Sequence, residues 1–223
     1  MSSEAISGVW AAVPVKTFAT AKHRLAPLLT PAQRNSLAAA MLEDVLSALA
    51  GAPLGGIMVN TEDAEAAAMA RRFGAEVVAE QARDGHTAAV AAMARILAAR
   101  GASAMLALPG DIPRVTAAEL GQVCATGRRP PPAFTIVPAH DERGSNAVLV
   151  APPTAVPLRF GDDSFFPHLD AARRHGIEPV VVKLSGIALD IDRPEDVHAL
   201  LRATPALPSR AVRLLAEMRL TPR

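Results

Sequence analysis

The chain has 223 residues, 50% of them hydrophobic, and a formal net charge of only +1. This length and composition can bury one large core, so we expect a single domain over residues 1–223. The weak charge, the 3% aromatic content and the absence of tyrosine argue against nucleic-acid binding, which needs a strong positive field or stacking rings.

Cysteine content and apolar runs bear on the compartment. The single cysteine, Cys124, cannot form an internal disulfide, and its neighbours are typical of a helix interior, which favours a small buried hydrophobe over a nucleophile. The apolar runs are too short for a membrane span and do not form a signal peptide. We therefore expect a cytoplasmic protein with no membrane partner.

The first predicted strand, residues 9–15, leads into a basic loop. This loop contains Lys16, Lys22 and Arg24, and at the end of a buried strand these side chains can converge on the phosphates of a nucleotide. The plainer interpretation is an ordinary solvated loop. The chain has no Gly-x-Gly-x-x-Gly and no Walker-type Gly-Lys-Ser/Thr, which argues against a nicotinamide-binding unit and a P-loop nucleotidase.

Alternating helices and strands follow the basic loop. Thr30 is a typical N-cap for a helix over residues 31–50. Strands at 57–59 and 75–79 then enclose an alanine-rich helix at 63–73. This order and spacing predict a parallel sheet with right-handed crossovers.

A polar loop at residues 81–87 precedes the next predicted helix, at 88–100. Gly85, His86 and Thr87 stand near the start of that helix, where free N–H groups can face an anion or a base. His86 has no metal-ligand spacing to another histidine, so a metal role is not indicated for it.

The stretch 104–113 is the centre of the predicted site. Its first five residues are apolar and are typical of a buried strand, which delivers the residues after it to the ligand-binding edge of a parallel sheet. Asp111 follows this strand between two prolines that exclude helix. Asp111 therefore either serves a site at that edge or only caps the helix that begins near Thr116 or satisfies a turn.

Two later segments also contain candidate binding residues. Residues 141–146, which include Ser145, are rich in turn formers and lead into a hairpin-like return onto the sheet. Gly161 and Ser164 precede another predicted helix. Ser164 either caps this helix or leaves its N–H groups free for a phosphate or a carboxylate.

Asp190 and Asp192 form the second acidic feature. Alternate side chains of an extended segment share one side, so both carboxylates face the same way while Leu189 and Ile191 face the core. Adjacent carboxylates repel each other, and a divalent cation would remove that cost. The alternative is that Asp190 is solvated and Asp192 only precedes a helix start.

Several of these segments, in order, resemble one family. They are Val13-Pro14-Val15-Lys16 with Ala21-Lys22 and Arg24-Leu25-Ala26-Pro27, Met41-Leu42-Glu43-Asp44-Val45-Leu46, Gly110-Asp111-Ile112-Pro113, Gly144-Ser145-Asn146-Ala147, Phe160-Gly161 with Ser164-Phe165 and His168, and Leu189-Asp190-Ile191-Asp192 with Pro194-Glu195-Asp196. This ordered set resembles the 2-phospho-L-lactate guanylyltransferases of deazaflavin-coenzyme biosynthesis, within the nucleotidyltransferases similar to the molybdopterin guanylyltransferase. Each segment alone is weak evidence for the resemblance, whereas the ordered set is fairly specific for this family.

The resemblance implies a fold and a reaction. The fold is a doubly wound, mostly parallel sheet in a three-layer α/β/α sandwich of the nucleotide-diphospho-sugar-transferase type. The reaction transfers GMP from GTP to a phosphorylated three-carbon acid and releases pyrophosphate, with Mg²⁺ as cofactor. The acceptor is 2-phospho-L-lactate, phosphoenolpyruvate or 3-phosphoglycerate, depending on the member. The sequence leaves the oligomeric state open, with a homodimer as one possibility.

The resemblance also implies a role for each site residue. Asp111, Asp190 and Asp192 match catalytic carboxylates that bind metal; Lys16, Lys22 and Arg24, with Gly85 and Thr87, fall on the nucleotide side; Ser145, Gly161 and Ser164 match positions that hold the acceptor. Gly85-His86-Thr87 replaces the Gly-Leu-Asn of many members, which leaves the preference for guanine open.

The sequence is also compatible with two other functions. A related transferase would act on a sugar phosphate or a molybdopterin, although residues 160–168 argue against it. A non-catalytic protein of the same fold would bind the nucleotide without turnover. Pyrophosphate release from a panel of acceptors separates these alternatives.

Overall fold

One sheet of seven strands forms the centre of the computed structural model, which describes residues 8–80, 82–126, 130–161, 163–203 and 209–218. The strands are β1 (Val9–Pro14), β2 (Gly56–Asn60), β3 (Glu76–Val78), β4 (Ala104–Ala107), β5 (Ala133–Pro138), β6 (Ser145–Ala151) and β7 (Val180–Val181). Their order is β3-β2-β1-β4-β6-β5-β7. Only β6 runs antiparallel to its neighbours β4 and β5 among these described strands.

Helices connect most of the strands. They are α1 (Pro31–Ala50), α2 (Ala64–Arg72), α3 (His86–Ala99), α4 (Ala117–Thr126), α5 (Phe165–Arg174), α6 (Ser185–Ala188), α7 (Pro194–Arg202) and α8 (Arg210–Glu217). Short 3-10 turns occupy Phe18–Thr20, His23–Leu25 and Ala82–Asp84. In the described part of the chain, no helix has the length and apolar character needed to cross a bilayer.

Helices cover both faces of the sheet. Because strand side chains alternate, Ala11 and Val13 of β1 face a core shared with α1, α2 and α4, whereas Trp10 and Ala12 face α3. On that second face, α5 packs against β5 and β6. The α7 and α8 helices pack on α1. The predicted doubly wound, three-layer α/β/α arrangement is confirmed.

Local signals explain several of the boundaries. Thr30 and Gln33 form a reciprocal capping box at the start of α1, as N-cap chemistry predicts. The sequence also predicts a strand over residues 179–184, but β7 is only two residues long, and α3 begins at His86 rather than at residue 88. Cys124 is buried in α4, as predicted. The sequence also predicts a stiff, exposed linker over residues 127–132, of which residues 127–129 lie outside the described residues.

The strand directions bring distant loops to one edge. Since β1 and β4 are parallel neighbours, the loops after them lie side by side. Since β6 is antiparallel to β4, its first residue, Ser145, lies at this same edge. The candidate site is built there.

Candidate active site

A cavity of about 660 Å³ opens at this edge of the sheet. Eight of the predicted site residues line it: Lys16, Arg24, Asp111, Ser145, Gly161, Ser164, Asp190 and Asp192. An adjoining cavity of about 290 Å³ is lined by Lys22 and shares Lys16, Asp111 and Asp192 with the first. Residues from widely separated segments thus meet at one place.

Lys22 is the link between two of the carboxylates. Its Nζ donates to Asp111 Oδ2 at 2.5 Å and to Asp192 Oδ1 at 2.6 Å, and its side chain is only 7% exposed. Burial alone would lower the pKa of Lys22, but the two carboxylates raise it above its ordinary value. Lys22 is therefore a permanent cation between two acids.

The backbone at Lys22 is unusual. Lys22 has a left-handed conformation, with φ of 57°, directly before the turn at His23–Leu25. Such a conformation is uncommon for a residue with a Cβ. It is compensated here by two charge-assisted hydrogen bonds, which are among the stronger polar contacts in proteins.

Asp192 lies in a strongly positive environment. Burial alone would raise the pKa of Asp192, but the nearby charges of Lys22, Arg24 and Lys16 hold this pKa below its ordinary value. The Arg24 guanidinium lies 4.0 Å from Asp192 Oδ2. Asp192 is thus ionised at neutral pH. Its contacts with Lys22 and Arg24 also keep the basic loop close to Asp111.

Asp190 behaves in the opposite way. Burial raises its pKa, and the charge of Asp111 raises it further. The Asn146 amide donates to Asp190 Oδ1 at 3.0 Å and also to the backbone oxygens of Ile187 and Ala188. These contacts hold Asp190 toward Asp111, although the two carboxylates repel each other.

The carboxylates suit a hard divalent cation by their chemistry. Asp111 Oδ1 is buried and has no hydrogen-bond partner among the described residues, and its closeness to Asp190 leaves negative charge uncompensated. However, no group of three or more His, Cys, Asp or Glu side chains in the described ranges is arranged around a common ion position. The ammonium of Lys22 lies between Asp111 and Asp192, so an ion between these two would displace it.

Backbone contacts exclude the plainer roles for these aspartates. The α4 helix is capped by Thr116 and Glu119, not by Asp111. Asp196 accepts the backbone N–H groups of Asp192 and Arg193 before α7. Neither Asp111 nor Asp192 caps a helix through its side chain in the described part of the chain, and both line the cavity.

A second buried polar group lies beneath the cavity. Ser145 Oγ lies 2.9 Å from His168 Nδ1 and 3.2 Å from Ser164 Oγ. Ser164 makes no side-chain capping bond to α5. At Gly161, no described atom lies within 4 Å of the position that a Cβ would take, so its backbone is open to the cavity.

The two predicted nucleotide-binding residues at the start of α3, Gly85 and Thr87, have different surroundings in the structure. Gly85 is the N-cap, with φ of 93°, and lines a small pocket next to Lys16. Thr87 lines none of these cavities; its hydroxyl accepts from the Phe160 backbone N–H at 3.0 Å. Thr87 thus joins α3 to the segment before α5, and its nucleotide-binding role stays a prediction.

Four residues of the site were not among the predicted catalytic or binding residues: His86, Asn146, Phe160 and His168. The His86 ring lies 4.5 Å from that of Phe160, between the two cavities. Burial lowers the pKa of His86 to about 4, so it is neutral at pH 7. Asn146, Phe160 and His168 stand within segments that carry the family resemblance, and that was the available signal.

The fold is similar to that of solved structures named as nucleotide-diphospho-sugar and nucleotidyl transferases. A crystal structure from Desulfovibrio desulfuricans G20, described as a nucleotide-diphospho-sugar transferase, superposes with a TM-score of 0.76, covering 96% of each chain at 19% identity. At that identity the similarity shows the fold alone.

Sequence comparison gives the family. The model for "Guanylyl transferase CofC like" proteins matches residues 9–205, and the chain belongs to this family. A phosphoenolpyruvate guanylyltransferase of Rubrobacter xylanophilus is 38% identical over 192 residues, covering 86% of this chain and 93% of that protein. Another protein of the same name, from Roseiflexus sp., is 36% identical and covers 85% of this chain and 83% of its own.

Proposed function

We propose that this protein transfers GMP from GTP to the phosphate of a phosphorylated three-carbon acid, with phosphoenolpyruvate as the first candidate acceptor. The observation that carries the proposal is one cavity with an acidic wall, Asp111, Asp190 and Asp192, and a polar wall at Ser145 and Ser164. The family membership and the two named relatives support the choice of GTP and phosphoenolpyruvate.

The proposed reaction needs no general base. An oxygen of the acceptor phosphate attacks the α-phosphorus of GTP; a P–O bond forms there, and the bond to the bridging oxygen of pyrophosphate breaks. A phosphate monoester is largely dianionic at neutral pH, so no proton has to be removed. The task is to align two polyanions and to offset their repulsion.

The basic loop supplies part of that compensation. Lys16 and Arg24 line the cavity, where they would hold the triphosphate of GTP. Lys22 would also reach a phosphate if it left Asp111 and Asp192. Its long, flexible side chain permits such an exchange of anionic partners.

A divalent cation completes the proposed site. Asp111, Asp190 and Asp192 would hold Mg²⁺ only once Lys22 leaves the space between Asp111 and Asp192, and the ion would then neutralise charge on the phosphate oxygens. The unpartnered Asp111 Oδ1 and the repulsion between Asp111 and Asp190 support this assignment. The protein's own contribution is to hold the carboxylates and lysines at one edge before substrates arrive.

A panel of acceptors tests the proposed function. Purified protein would be incubated with GTP, Mg²⁺ and one of phosphoenolpyruvate, 2-phospho-L-lactate and 3-phosphoglycerate, and pyrophosphate release would be measured. We expect release with at least one phospho-acid, together with a product whose mass equals that of the acid plus GMP minus water.

Matched substrates complete the design. Replacing GTP by ATP, CTP or UTP tests the base, and replacing the phospho-acid by a sugar phosphate tests the alternative transferase. Release only with a sugar phosphate would identify that alternative. Nucleotide binding without release from any acceptor would identify a non-catalytic protein.

A further inference from the structure

The polar group beneath the cavity has a defined direction of hydrogen bonding. His168 of α5 is 1% exposed, and Ser145 and Ser164 are also buried. Buried polar groups are costly unless they are paired, so the donors and acceptors of this group can be assigned one by one. His168 is too deeply buried to contact a ligand in the cavity itself.

The tautomer of His168 follows from its two neighbours. The backbone N–H of Arg159 donates to His168 Nε2 at 3.0 Å, so Nε2 carries a lone pair and no proton. The single proton of the neutral ring is then on Nδ1. At 2.9 Å from Ser145 Oγ, this Nδ1–H is a donor and Ser145 is its acceptor.

Protonation of His168 would disrupt this arrangement. A proton on Nε2 would face the Arg159 N–H, and two donors would oppose each other. Burial, with a smaller contribution from His86, lowers the pKa of His168 to about 4. The neutral Nδ1–H form is therefore the one present at neutral pH.

Ser145 has one direction left for its own proton. Ser145 Oγ accepts from His168 and also from the Ser164 hydroxyl at 3.2 Å, which uses both of its lone pairs. Ser145 lines the cavity, and among the described residues we find no acceptor for its hydroxyl proton. The Ser145 O–H is thus a donor without a partner, next to open space.

We infer that His168 is a positioning residue that forces the Ser145 hydroxyl to donate into the cavity, where it binds an anionic oxygen of the acceptor. The inference rests on the proposed function, because it takes the Ser145 wall as the acceptor side. A hydroxyl fixed as a donor favours a phosphate or carboxylate oxygen over a neutral donor group. His168 acts only through Ser145.

A purely structural role for His168 is the competing explanation. Its ring packs edge-on against Phe160 at 5.1 Å and lies 6.5 Å from Phe134. Loss of these contacts would loosen α5 and weaken every activity of the site. The test therefore needs a readout that separates the acceptor from GTP.

Two substitutions separate the two ring nitrogens. His168→Gln can place an amide oxygen near the Nε2 position, where it accepts from Arg159, but it leaves Ser145 without its donor. His168→Asn can place an amide N–H near the Nδ1 position and keeps the donor to Ser145. We expect His168→Gln to raise the KM of the phospho-acid by roughly 10- to 100-fold, the effect of weakening one hydrogen bond to a charged group, with the KM of GTP almost unchanged.

A double-mutant cycle with Ser145→Ala identifies the route of the effect. If His168 acts through Ser145, adding His168→Gln to Ser145→Ala causes no further rise in the acceptor KM, and His168→Asn alone stays closer to the unsubstituted protein. Additive effects, equal rises in both KM values, or equal losses in the Gln and Asn variants would overturn the inference.

The unsubstituted protein provides a measurement that needs no variant. Nitrogen-15 NMR of its histidine rings reports which nitrogen carries the proton, and we expect protonated Nδ1 and unprotonated Nε2 for His168 at pH 7. The opposite tautomer overturns the inference even if both variants fail to fold. Absence of pyrophosphate release from the unsubstituted protein with every phospho-acid would instead refute the proposed function.

Discussion

At the scale of single residues, the three carboxylates of the cavity, Asp111, Asp190 and Asp192, are not equally compensated by positive charges. Lys22 compensates Asp111 and Asp192, whereas Asp190 has an amide partner in Asn146. The pKa values differ accordingly: burial and Asp111 raise that of Asp190, while Lys22 outweighs burial and lowers that of Asp192. Asp190 is the carboxylate that gains most from an added cation.

The variant Asp190→Asn tests this assignment. We expect pyrophosphate release to fall by at least about 100-fold, because one anionic ligand for the cation and the phosphates is lost. The thermal stability of this variant, in contrast, should not fall. A carboxyl group whose pKa is raised by folding binds its proton more tightly in the folded state, so its ionised form lowers stability at neutral pH.

The melting temperature of Asp190→Asn in metal-free buffer at pH 7.5 should therefore be no lower than that of the unsubstituted protein. Asp170→Asn, which changes an exposed carboxylate of α5, is the matched control and should keep full activity. Near-normal turnover in Asp190→Asn would contradict the metal assignment.

At the scale of elements, a buried carboxylate joins two helices that are far apart in the sequence. Asp44 of α1 accepts from Ser209 Oγ at 2.7 Å and from the backbone N–H groups of Arg210 and Ala211 at 2.9 and 3.0 Å. It thus satisfies free N–H groups at the start of α8, where negative charge is favourable. Asp44 fixes α8 on α1.

The variant Asp44→Ala should lower the free energy of unfolding by about 2 to 4 kcal/mol, since it leaves buried donors without partners. Denaturant unfolding followed by circular dichroism measures this change. Glu43→Ala is the control: Glu43 pairs with Arg210 at 3.3 Å but is 31% exposed, and a partly exposed pair contributes about 1 kcal/mol or less. Equal losses of unfolding free energy in both variants would contradict the role assigned to Asp44 in fixing α8 on α1.

At the scale of the whole molecule, the fold brings segments from across the chain to one edge. The loop after β1 contributes Lys22, the loop after β4 contributes Asp111, and the segment before α7 contributes Asp192. The Ile191 N–H donates to the Asp111 backbone oxygen at 3.1 Å, which fixes two of these segments together. Ligands that bridge the segments should stabilise the entire fold.

Thermal unfolding with ligands tests that expectation. At a concentration about 100 times its dissociation constant, a ligand contributes about 2.7 kcal/mol, which for a protein of this size corresponds to a rise of roughly 5 to 10 °C in Tm. We expect this rise with GTP and Mg²⁺ together, and a much smaller one with GTP and EDTA or with Mg²⁺ alone. An equal rise with GTP in EDTA would contradict a role for the cation in nucleotide binding.

Much of the fold could be predicted because it depends on local patterns. The apolar run at residues 104–108, the Thr30 cap and the spacing of 57–79 each contain their own signal, and all three led to elements that the structure has. The short β7 and the early start of α3 could not be obtained in this way. Element boundaries depend on neighbouring strands and loops as much as on local propensity.

The sequence by itself determined the parallel βαβ core, the candidate acidic and basic residues and, through the ordered segments, the family. Only the tertiary structure decided how these residues are paired. It brought Lys22 between Asp111 and Asp192 and joined His168 to Ser145. The physical reason is that such pairings depend on distances between segments far apart in the chain, which are fixed by strand order, strand direction and packing. A one-dimensional pattern specifies which groups are available, and the packed fold specifies which of them meet.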